Sequence, residues 1–131
     1  MTKNNGTLAV RVYTSQAELP LEGASVAVLQ KGRFGRYDLL SIQAADRSGL
    51  IQPVEIPTPA AAAGLTSNTG DVPYALCTVW AEYPGYSMLE VENVQIFPGV
   101  ETVQNMELIP LEYGQDSLQS PTVQDTPAQD L

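Results

Sequence analysis

The residue types that do chemistry are scarce in this chain. It has no His at all. That removes Ser-His-Asp and Cys-His nucleophile pairs, imidazole general bases and the usual zinc sites. Cys77 is the only Cys, so no intramolecular disulfide can form. No Lys, Arg or His lies near it in sequence to lower its pKa, and it reads as a small buried hydrophobe. Calcium needs six or more oxygen ligands. Asp46, Ser48, Glu90, Glu92 and Glu101 are available, with Glu90 and Glu92 on one strand face. That pattern reads as a solvated acidic face. No catalytic residue, metal site or cofactor is expected. What remains is recognition, and Trp80 is the residue that suits it. Its parity opposes Cys77, Val79 and Ala81, which sets it on an outer sheet face with Leu76. Exposed aromatics stack on sugars and on partner proteins. The other readings make Trp80 core with Cys77 outward, or cover it with a loop. The candidate ligand-binding residues are therefore Trp80, Leu76, Glu90 and Glu92.

These residues sit in a strand, a turn at Pro84-Gly85 and a returning strand, spanning Pro73 to Gly99. Val79, Val91, Val94 and Ile96 are β-branched, and Tyr74, Trp80 and Tyr83 are aromatic, as a pleated surface favours. Because Leu76 and Trp80 are apolar as well, the strand over 74–83 is expected to lie centrally with both faces covered. Upstream, Leu8, Val10 and Val12 alternate with Thr7, Ala9, Arg11 and Tyr13, a first strand over 7–13. Ala24, Val26 and Val28 mark a second strand to Gln30. Lys31 to Arg36 forms a basic, Gly-rich hairpin tip before a third strand over 37–44. Asp46-Arg47-Ser48-Gly49 is a turn, followed by a short strand over 51–56. Residues 57–73 show no regular pattern and read as a surface excursion or a binding loop. Strands over 87–97 and 101–109 complete seven, with no long helix. The pattern predicts an all-β, two-sheet β-sandwich.

The charge is uneven. All six Lys and Arg lie at or before Arg47, and residues 48–131 carry eleven acids and no base. With a net charge of -9, the chain repels phosphate backbones and anionic membranes, so neither nucleic acid nor a membrane is an expected partner. There is no transmembrane run and no apolar segment of a signal peptide near the start. The expected location is soluble, in the cytoplasm or with a spore. From Glu112 the sequence turns polar, and Leu118, Val123 and Leu131 are too sparse to define a face. The expected organisation is a flexible N-terminus over 1–6, a sandwich over 7–111 and a disordered acidic tail over 112–131.

Four segments in order carry a family resemblance: Gly6 to Val12, Leu19 to Val28, Asp46 to Gly49, and Ala81 to Tyr86. Together they resemble the carboxypeptidase regulatory-like domains over about residues 6–111, which implies a transthyretin-like, Ig-like sandwich. A closer likeness is to the N-terminal region of clostridial spore-cortex-lytic proteins. It rests on Asp46 to Gly49, Ile56 to Pro59, Pro73 to Ala75 and Gln95 to Asn105. Neither the lytic catalytic domain of those proteins nor a peptidoglycan-binding repeat is recognisable here. The resemblance thus implies an accessory domain without its enzyme. Hydrolases of related fold use His, which this chain lacks. The Lys–Asn isopeptide of related pilin sandwiches needs a Lys on the first strand. Lys3 precedes that strand and Arg11 occupies its middle, although Asn105 and Glu82 are present. The expectation is a non-catalytic accessory or binding module that docks a protein or a cell-wall-type polymer, in a spore-cortex context. The alternative is a structural coat scaffold that self-associates through sheet edges.

Overall fold

The structure, a computed structural model, describes residues 5–31, 35–58, 74–111 and 122–125. Eight strands run in chain order: β1 (Asn5–Thr14), β2 (Ser25–Lys31), β3 (Tyr37–Ala44), β4 (Val54–Pro57), β5 (Ala75–Glu82), β6 (Leu89–Ile96), β7 (Glu101–Leu108) and β8 (Thr122–Asp125). No α-helix occurs among the described residues. The strands form a three-stranded sheet, β4-β1-β7, and a five-stranded sheet, β3-β2-β5-β6-β8. This is the two-sheet sandwich that the alternating sequence predicts, with seven of its strands within 5–108. β8 falls inside the stretch read as a disordered tail and pairs with β6 in parallel. The rest of 112–131 lies outside the described residues, as do 1–4, the tip at 32–34 and most of the 57–73 excursion.

The core follows from period two. Leu8, Val10 and Val12 of β1, with Ile56, Met106 and Leu108, are fully buried on the inner face of the smaller sheet. Val26, Val28, Cys77, Val79, Ala81, Leu89, Val91, Val94 and Ile96 face them from the larger. β1 is the hub of the smaller sheet, antiparallel to β4 and parallel to β7. The crossing from β6 to β7 is a Pro98-Gly99 turn, with Gly99 at φ 71° and Val100 N–H donating to the Phe97 carbonyl at 3.2 Å. Pro preset at the second position and Gly at positive φ in the third are what that turn requires.

Several strand boundaries differ from the sequence pattern, and those of β1 and β4 have a visible cause. β1 begins at Asn5 rather than Thr7, because the Asn5 carbonyl accepts from Gly99 N–H at 2.9 Å and Asn5 pairs with Pro57. The fourth strand begins at Val54 rather than Ile51. Leu50 and Ile51 are instead held against β1, through the Arg11–Leu50 bridge and the bond from Ile51 N–H to the Val10 carbonyl. Gln52 is taken by the Gln43 side chain, which accepts from its N–H at 2.9 Å and donates to its carbonyl at 3.1 Å.

The Asp46-Arg47-Ser48-Gly49 turn is fastened to β1. The Asp46 carboxylate accepts from Ser48 N–H at 2.8 Å and Leu50 N–H at 3.0 Å, a side-chain substitute for ladder bonds. The Gly49 carbonyl accepts from Val12 N–H at 2.7 Å. Gly49 sits at φ 75°, and a Cβ there would lie 2.3 Å from the Val12 carbonyl oxygen. Gly49→Ala is therefore expected to cost at least about 2 kcal/mol in urea unfolding, since both the left-handed backbone and the contact forbid a side chain. Packing gives a second outcome. Val79→Ala should lower stability by roughly 2 kcal/mol, whereas Leu39→Ala, which removes an apolar side chain from the outer face, should stay within about 0.5 kcal/mol. Equal losses would mean that the outer face is covered.

Candidate functional site

β5 lies at the centre of the larger sheet, as its composition suggests, but only one of its faces is covered. Cys77, Val79 and Ala81 point into the core while Leu76 and Trp80 point out. No helix or third layer packs over the outer face among the described residues. The expectation of two covered faces is thus corrected. The apolar even positions belong to an open surface.

Cross-strand registers build that surface. Ala27 of β2 stands between Ile42 of β3 and Trp80 of β5, and Trp80 pairs with Glu90 of β6. The next row joins Leu39, Leu29 and Thr78. Tyr37 pairs with Lys31, and both line a depression of about 240 Å³ together with Leu76 and Glu92. Five large hydrophobic side chains on this face are exposed: Ile42 by 67%, Leu39 by 57%, Tyr37 by 49%, Leu76 by 41% and Trp80 by 38%. Clustering of this kind, rather than single exposed apolar residues, makes the face a candidate surface.

The four residues singled out by sequence all lie here. Trp80 Nε1–H donates to Glu90 Oε1, which fixes the indole edge toward β6 and leaves its faces to the apolar neighbours. Trp80 also lines a second depression, of about 140 Å³, with Ala27, Ile42 and Met88. Glu90 and Glu92 are half-buried between the inward Leu89, Val91 and Val94. The face is therefore divided: apolar over β3, β2 and β5, acidic along β6, with Lys31 as the base among the strand positions described.

Sequence reasoning missed the contribution of β3. Leu39 and Ile42 are three apart, so strict alternation would set them on opposite faces. A bulge places them together. The register slips between Val28 and Leu29, leaving Leu40 as the extra residue, partly buried against the core. A second slip in β6 falls at Asn93, at φ 60°. It switches the inward positions from Leu89 and Val91 to Val94 and Ile96. Asn tolerates that left-handed backbone better than most residues, which is the one signal available in the sequence.

The other candidate sets do not assemble. Asn105 pairs with Arg11 in the smaller sheet, while Glu82 ends β5 in the larger, and Lys3 lies outside the described residues. The Asp46 carboxylate is engaged in its turn, and Glu101 is in the other sheet from Glu90 and Glu92. No group of three or more His, Cys, Asp or Glu that could hold a metal occurs among the described residues. No helix long and apolar enough to cross a membrane occurs among the described residues.

No family model matches this chain, and no curated protein matches it. Solved structures share its fold. Wild-type catechol 1,2 dioxygenase of Acinetobacter radioresistens is 12% identical with a TM-score of 0.53, over 93% of this chain and 58% of that one. The 3-chlorocatechol 1,2-dioxygenase of Rhodococcus opacus is 12% identical with a TM-score of 0.52, over 84% and 61%. A minor pilin of Streptococcus agalactiae is 12% identical with a TM-score of 0.52, over 88% and 49%. The aligned region thus spans about half to three-fifths of each of these proteins. At such identity the likeness is one of fold alone, that of a two-sheet β-sandwich.

Cys77 is free and buried, and desolvation pushes its pKa up from 9.0 to about 12. The folded chain holds a proton that the unfolded chain releases above 9.0, so this group's contribution to stability falls as pH rises from 9 toward 12. The slope in that window is roughly 1.4 kcal/mol per pH unit, and Cys77→Ala should remove it. In the native chain at pH 8, alkylation by iodoacetamide should run at least about a hundredfold slower than in urea.

Proposed function

We propose that this chain is a non-catalytic binding module that docks a partner protein or a cell-wall-type polymer through the outer face of its five-stranded sheet. The observation that supports it is the row Ile42–Ala27–Trp80–Glu90, in which a partly exposed indole is oriented by a carboxylate within an apolar field. A flat, rigid aromatic on a pleated sheet offers stacking area at low conformational cost. The resemblance to regulatory-like domains and to N-terminal regions of spore-cortex-lytic proteins makes cortex peptidoglycan the first polymer to try. It also makes a spore-associated or cytoplasmic location, with an accessory role beside a lytic enzyme, part of this reading. Leu76, Trp80, Glu90 and Glu92 form the binding surface, with Tyr37, Leu39 and Ile42 extending it. The acidic balance favours an uncharged or cationic partner over nucleic acid or an anionic membrane.

A second reading is a scaffold that self-associates through a sheet edge. β3 favours it, because this edge strand is long and carries exposed Tyr37, Leu39 and Ile42. Sedimentation over a range of concentrations separates the two, since only the scaffold assembles with itself.

The docking test is retention on insoluble cortex peptidoglycan. Stacking should survive 1 M NaCl, where the Debye length is ~3 Å. Trp80→Ala should weaken retention about tenfold while the fold is kept, in line with roughly 1–3 kcal/mol for an aromatic stacking contact. Retention indifferent to Trp80→Ala but abolished by salt would move the contact to Glu90 and Glu92.

A further inference from the structure

We infer that the notch over Ala27, walled by Ile42 and Trp80, takes an arginine side chain of a partner protein, stacked on the face of the indole. This rests on the reading of the outer face as a docking surface and narrows it, since it selects a cationic protein over an uncharged polymer.

Three features carry it. First, the row has a gap. Ala27 of β2 stands between Ile42 and Trp80 on its two neighbouring strands, so two large side chains flank a methyl group. Their strands are two spacings apart, roughly 10 Å, which leaves room between them for a planar group and its aliphatic stem. The space is about 140 Å³. Second, the indole is held. Its Nε1–H donates to Glu90 on the strand opposite the notch, while Trp80 also lines the notch itself. A planar guanidinium stacks on such a ring and is attracted by its quadrupole.

Third, the charge favours a cation. Glu90 is half-buried, accepts from the indole, and forms no ion pair with a described residue. It stands one strand away from Trp80, roughly 5 Å, inside the Debye length of ~8 Å at physiological salt. By accepting from the N–H, the carboxylate also pushes electron density into the ring and strengthens its pull on a cation. No Lys or Arg occurs among the described residues that line the notch. Glu82 lines it but is itself engaged, so the charge that counts is that of Glu90. An aliphatic occupant would touch the walls and leave this field unused. A lysine would use the field without stacking its charge flat on the ring. Arginine does both.

Trp80 is the only Trp of the chain, so its emission reports on the notch directly. The full chain is titrated with acetyl-Gly-Arg-Gly-amide and with its counterparts carrying citrulline or leucine in place of arginine. Citrulline keeps the planar group and its length but has no charge. The arginine peptide should change the emission saturably in the millimolar range, about fivefold tighter than either counterpart. Ala27→Leu fills the notch and should weaken the arginine peptide about tenfold. Glu90→Gln keeps an acceptor for the indole N–H and removes the charge. It should weaken the arginine peptide roughly threefold and leave the citrulline peptide unchanged. Both substitutions lie on the outer face, and an unchanged far-UV spectrum checks that the fold is kept. Equal affinities for the three peptides, an arginine affinity indifferent to Ala27→Leu, or a Glu90→Gln effect shared by the citrulline peptide would each overturn the assignment. Retention on peptidoglycan separates this site from the docking face as a whole. Trp80-dependent retention with no response to the arginine peptide at tens of millimolar would overturn the arginine site and leave the docking face standing. A chain with neither response would lose both. A response to arginine without retention would uphold the site with a protein as its partner.

Discussion

Everything in this sandwich depends on the alternation along β5. Its inward positions, Cys77, Val79 and Ala81, are small and almost wholly buried, so a second sheet can close over them without a cavity. Val28 stands beside Val79 and Val91 on the other side, a row of β-branched residues across three strands that fills the layer between the sheets. With the interior satisfied by small residues, the large side chains of the same strand are displaced outward. Trp80 is the result. Its size does not fit the interior spacing that its neighbours set, and its N–H finds Glu90 on the adjacent strand. The core and the candidate surface are two consequences of one residue pattern.

The surface is mixed in a way that matters for recognition. Hydrophobic area gives adhesion without direction, and the polar groups give direction. Here the direction comes from β6, where Glu90 orients the indole and Glu92 borders the depression under Leu76. In the proposed docking these groups are presented by a sheet, which would keep the geometry of the contact constant. The fold itself carries no function, since dioxygenases and a pilin share it at the same low identity. Support for docking therefore comes from the outer face alone.

Much of this was legible in the sequence because half-buried strands announce themselves by period two. The strands at 7–13, 24–30, 37–44 and 101–109 lie within a residue or two of their structural bounds. The parity that put Trp80 opposite Val79 was readable for the same reason. What was not legible is everything that breaks the period. The extra residues Leu40 and Asn93 change which side chains share a face, and a bulge is decided by neighbouring strands rather than by its own residues. That is why Tyr37, Leu39 and Ile42 were not assigned to the site. β8 is four residues in a polar stretch with no periodicity to find. Its strand character comes from the open edge of β6. The open outer face was ambiguous for a different reason: an apolar residue facing outward looks the same in sequence whether or not something covers it.

The parallel pairing of β1 with β7 has a consequence for synthesis. β1 is made before the other described strands, and every rung it forms with β7 waits for Glu101–Leu108, the seventh of them. Until then an amphipathic strand with a bare backbone edge has to persist beside β4 alone. Such non-local closure is slow compared with hairpin formation and leaves the nascent chain exposed to wrong partners. The order of synthesis thus puts closure of the smaller sheet by β7 late and leaves one edge of β1 open in the interval.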